Sequence, residues 1–121
     1  MGAGDPNLPV IRPEAPAYVL DFYVDGLGNM PARDWLRSLE LRKRFAAGHA
    51  MQTQLQQDGL AVCRTRWGKN LGSGLAEFRL SEPSPEGEVL LRVFFHAFVD
   101  RRILILHSYD KGDDPSEASA A

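Results

Sequence analysis

The hydrophobic pattern changes along the chain. Residues 1–16 show no apolar period, and four prolines (Pro6, Pro9, Pro13, Pro16) stand among Gly, Asp and Asn. Proline removes amide donors and restricts its neighbours, so this stretch is expected to be a flexible arm outside the folded part. From Ala17 to Val24 (AYVLDFYV) β-branched and aromatic residues alternate, which predicts a strand. The run Asp25-Gly26-Leu27-Gly28-Asn29 ends it with turn chemistry.

Pro31 then marks a helix start, where a missing amide donor costs nothing. Trp35, Leu36 and Leu39 form one apolar stripe, and Leu41, Phe45, Met51 and Leu55 continue it beyond Glu40. The pattern predicts two helices, or one kinked helix, over 31–58, closed by Gly59 as a left-handed cap. Beyond residue 60 the period becomes two. Strands are expected at Leu75–Leu80 (LAEFRL), Glu88–His96 (EVLLRVFFH) and Arg102–Ser108 (RILILHS), with loops over 81–87 and 109–115. Residues 116–121 leave room for only one helical turn, a short C-terminal tail. The expected fold is therefore α+β: a strand, then two N-terminal helices packed on one face of a mainly antiparallel sheet, with the other face left for a ligand or partner.

The length of 121 residues suits one domain over 17–121. The single Cys63 cannot form an internal disulfide, and no Cys/His spacing matches a zinc site. No apolar run approaches the ~20 residues of a membrane span, and no signal-like segment follows Met1, so a soluble cytoplasmic protein is expected. Net charge is −2, but its distribution is uneven. Residues 33–69 carry eight Lys/Arg against three acids, within a chain that is otherwise acidic. A local basic field can exist under a net negative charge.

Alternation places Leu75, Glu77 and Arg79 on one face of their strand. Arg92 shares a face with Leu90, Phe94 and His96, and His107 with Tyr109; Lys111 lies just beyond. Guanidinium groups bind phosphate oxygens through paired donors, and an imidazole moves protons near neutral pH. These residues therefore suit a phosphodiester, while an exposed face with Glu77 paired to an arginine is the plainer alternative. The glycines of GKNLGSG (68–74) lack the order of a phosphate loop. Asp110, Asp113 and Asp114 lack the glutamate of a calcium loop.

Taken in order, MPARDWLRSL (30–39), DGL (58–60), WGKNLGSGLAEFRL (67–80), LLRVFF (90–95) and ILILHSYDKGDDP (103–115) resemble the phage-derived, HigB-like branch of the RelE/ParE toxin superfamily. The resemblance implies a RelE-like fold and the toxin of a type II toxin–antitoxin pair. It implies an mRNA interferase: a ribosome-dependent endoribonuclease needing no metal or cofactor, neutralised by a helix-turn-helix antitoxin. In that chemistry the ribose 2′-hydroxyl attacks the adjacent phosphate, leaving a 2′,3′-cyclic phosphate and a free 5′-hydroxyl. Arg79 and Arg92 would grip the phosphate, and Lys111 would add charge or protonate the leaving oxygen. Lys69 would orient the backbone, with His107 and Tyr109 as candidates for proton transfer or base stacking. Ala76 stands where relatives carry an aromatic residue, and Gly112 where a second lysine is common. The alternative is a non-enzymatic protein of the same superfamily, a gyrase inhibitor or an inactive, truncated phage toxin.

Overall fold

Alternation at Ala76, Phe78 and Leu80 and at Leu91, Val93 and Phe95 gives a sheet one dry face, and the chain buries that face under its helices. The computed structural model describes residues 17–82 and 88–113. The expected arm (1–16), most of the 81–87 loop and the C-terminal tail lie outside the described residues.

Five strands form one sheet in the order β1-β5-β4-β3-β2. They are β1 (Val19–Phe22), β2 (Gly68–Gly72), β3 (Leu75–Glu82), β4 (Val89–Ala97) and β5 (Arg102–Asp110). Between β1 and β2 come α1 (Pro31–Ser38) and α2 (Leu41–Ala50). α1 starts on its proline, with Asp34 in the first turn and Arg37 in the last, both matched to the helix dipole. α2 runs on without a break through a π-helical turn (Met51–Leu55) and a last α turn (Gln56–Asp58), then a 3-10 segment (Gly59–Arg64). Ala47, Ala50, Met51 and Leu55 hold one face of this long helix against the sheet. Phe78, Phe95, Leu80, Leu91, Ile103, Ile105 and Val62 complete a core in which each is essentially inaccessible.

The expected fold is corrected on two points. The sheet is mixed, not mainly antiparallel: β1 runs parallel to β5, with Leu20 opposite Ile103 and Phe22 opposite Ile105. A parallel pair needs a crossover, and here it is the whole path through the helices, around β2, β3 and β4, and back to β1. The helical layer is one short helix and one long one, not the expected RelE-like pair of N-terminal helices. The apolar stripe past Glu40 simply persists until Gly59, so the second helix extends well beyond the first.

Gly48 sits in the middle of α2, and a Cβ built there meets nothing within 4 Å. Glycine costs a helix interior about 0.5–1 kcal/mol relative to alanine. Gly48→Ala is thus expected to raise the melting temperature by roughly 2–4 °C in a thermal melt. A lower melting temperature would contradict this helical placement.

Candidate functional site

The candidate residues named from the sequence are carried, all but Lys111, by the sheet face that the helices do not cover. Cross-strand register aligns them in two neighbouring rows. In one row Lys69 stands opposite Glu77, Glu77 opposite Phe94, and Phe94 opposite His107. In the next, Arg79 stands opposite Arg92 and Arg92 opposite Tyr109. Paired residues on adjacent strands share a face, so five of the six expected site residues lie together. Lys111 is the exception. It opens the 3-10 turn Lys111–Asp113 beyond the end of β5 and is half-buried there.

A β-bulge makes this arrangement possible. Ile103 and Ile105 point into the core, and strict alternation would send His107 and Tyr109 after them. The register slips instead: Phe95 pairs with Ile105, yet Phe94 pairs with His107, leaving Leu106 as the extra residue. The slip turns His107 and Tyr109 outward and puts Ser108 and Asp110 on the buried side. Asp110 there accepts from Lys43 of α2 at 2.5 Å, which ties the long helix to the end of β5.

Outward, three rings gather. Phe94 lies 6.1 Å from His107 and 5.9 Å from Tyr109, and His107 lies 6.4 Å from Tyr109, with planes inclined by only 13° to 22°. Beside them the Nε of Arg79 donates to Glu77 at 2.7 Å. The Glu77 side chain is nearly buried, whereas that of Arg79 keeps 38% of its surface. One carboxylate thus holds the guanidinium through Nε while the Arg79 side chain stays partly exposed. Lys69 is exposed on the edge strand β2.

Arg92 is held differently. Only 8% of it is exposed, and its Nη1 donates to the carbonyls of Leu91 (3.0 Å) and Leu80 (3.5 Å). Its charge still contributes to the field of the face, but part of its donor set is committed to the main chain. His96, further along β4, is tied through Nδ1 to the carbonyl of Gly74 at 2.6 Å and meets Phe98 edge-on.

Phe94 was not among the residues singled out from sequence, although its alternation with Arg92 carried the signal. Cys63 is no activated nucleophile, since burial pushes its thiol above the ordinary range. At the β4–β5 turn the Arg102 guanidinium, 2.9 Å away, holds the Asp100 carboxyl below its usual range; this pair lies at the far end of β5 from Tyr109. Among the described residues no three His, Cys, Asp or Glu side chains come together as metal ligands, and no helix is long and apolar enough to cross a membrane. Compared with known proteins, the chain matches no family model and no curated sequence.

Proposed function

We propose that the open sheet face binds single-stranded RNA and cuts it, as the toxin of a toxin–antitoxin pair acting on mRNA at the ribosome. The observation that carries this reading is the near-parallel ring trio Phe94, His107 and Tyr109 on the same face as Arg79, Arg92 and Lys69. Splayed bases stack on such rings, at about 1–3 kcal/mol per base, while cations follow the phosphates. Arg79, set by Glu77, meets the scissile phosphate and offsets the charge that grows on it. His107 exchanges the proton: the 2′-oxygen bonds to phosphorus, the bond to the 5′-oxygen breaks, and the leaving oxygen is protonated. A small helix-turn-helix antitoxin would be the partner that silences it.

One observation favours a binding-only protein on the same face. Arg92 has donors committed to carbonyls, which leaves Arg79 and Lys69 as the cations most open to phosphate.

Fluorescence anisotropy with a labelled single-stranded RNA tests the face directly. Two phosphate contacts predict a slope of log affinity against log salt of about −1.4, and Arg79→Ala should halve it to about −0.7. Phe94→Leu should weaken binding about tenfold with little change in slope, since it removes one stacking ring and no charge. A chain with no affinity for single-stranded RNA, or one indifferent to both substitutions, defeats the proposal.

A further inference from the structure

On the opposite side of the sheet from the ring trio, α1, the long helix and the edge strand β1 line an open cavity of about 400 Å³. Its floor is apolar, with Phe22, Leu36 and Met51, and its rim carries three arginines, Arg33, Arg37 and Arg44. Among the described residues no carboxylate lines it. The rim charges are poorly matched among the described residues. Among the described residues Arg33 reaches only its neighbour Asp34, at 3.4 Å, and its buried Nε finds no acceptor. Arg44 donates to the main-chain carbonyl of Arg37 at 3.2 Å, and Arg37 itself makes no ion pair among the described residues. Buried donors in folded proteins are satisfied by protein, water or a bound group.

Gly48 adds an independent sign. It also lines the cavity, and a Cβ added at this position meets no atom of the described residues within 4 Å. With no side chain here, this wall of the cavity stays open.

The geometry points to a binding site for a small amphiphilic anion, a carboxylate on an alkyl or aryl body, distinct from the RNA face. The apolar body occupies the floor and the carboxylate meets the arginines, which offer paired donors in a planar fork. A free small molecule is the occupant because the volume lies in the range of small-ligand cavities, which are mostly apolar with a few placed polar groups.

Isothermal titration of the full chain with octanoate tests this, with octanol, acetate and octyltrimethylammonium as comparison arms. Octanoate is expected to bind at least tenfold more tightly than each of the three. The double substitution Arg33→Gln/Arg37→Gln should lower octanoate affinity about tenfold. Gly48→Leu should abolish binding while melting at or above the wild-type temperature, so that loss of binding cannot be ascribed to unfolding. Equal binding of octanol would reduce the site to generic apolar contact, and equal binding of acetate to plain charge attraction. Wild-type affinity in Gly48→Leu would place the ligand elsewhere, and each of these three results overturns the proposal. Anisotropy with single-stranded RNA serves as the separate readout: octanoate should leave it unchanged, so either site can fail without the other.

Discussion

Replacing Gly59 by alanine is expected to destabilise the protein by about 3 kcal/mol, a fall of roughly 10 °C in melting temperature. Two causes act together. Gly59 ends the long helix at φ 57° and ψ −134°, backbone territory that an L-residue enters only under strain. A Cβ there would also lie 2.5–2.8 Å from ring carbons of Tyr18. That ring has little freedom to yield. The Tyr18 main chain is bonded in both directions to Gln56, N–H to carbonyl at 3.0 Å and carbonyl to side-chain amide at 3.2 Å. Arg101 lies over its face at 5.5 Å. Thermal melts of Gly59→Ala, Tyr18→Ala and the pair separate the causes. If the clash dominates, the double variant is more stable than the sum of single losses allows; if the backbone dominates, the losses add. A Gly59→Ala protein melting within 2 °C of wild type would mean that helix and first strand do not meet as described.

The same glycine shows what was legible beforehand. A stop after Asp58 could be read from the end of the apolar stripe, although the conformation at Gly59 differs in ψ from the left-handed cap expected there. Pro31 likewise announced α1, and period-two alternation located β3 and β4 to within two residues. These signals are local, and local chemistry is visible in a string of residues. The parallel pairing of β1 with β5 is not local: four residues near the start meet a strand eighty positions later, and no nearby pattern encodes that choice. β2 was missed for a different reason. GKNLG carries two glycines and no alternation, because an exposed edge strand has no dry face to imprint on its sequence.

The candidate site was legible up to its orientation. Alternation put Arg79 beside Glu77 and Arg92 beside Phe94, and register supplied the missing step by setting the two arginines opposite each other. The bulge at Leu106 left no such trace. ILILHSY alternates smoothly on paper, and only the slip against β4 decides that His107 faces outward. The commitment of Arg92 to the Leu91 and Leu80 carbonyls was equally hidden, since burial of a charged side chain depends on what packs over it.

That hidden commitment makes His107 the residue on which enzyme and binding module part. His107→Phe is expected to lower RNA cleavage in a translating extract by about 10²- to 10⁴-fold, the usual worth of a positioned acid or base. Phenylalanine keeps a ring of similar reach beside Phe94 and Tyr109, so stacking should survive and RNA affinity should stay within about threefold. His107→Ala removes ring and proton carrier together and should lose both affinity and cleavage. Tyr109→Phe controls for the phenol: a small effect leaves proton transfer with the imidazole, and a loss like that of His107→Phe assigns it to the hydroxyl instead. The pH profile adds a signature that packing cannot imitate. With imidazole as the proton carrier, the wild-type rate depends on pH in a way that the residual rate of His107→Phe does not. Cleavage at the wild-type rate in His107→Phe would reduce His107 to a stacking ring. RNA held by the wild-type chain but never cut would make this face a binding surface, with Arg79 as its anchor and Arg92 as its internal brace.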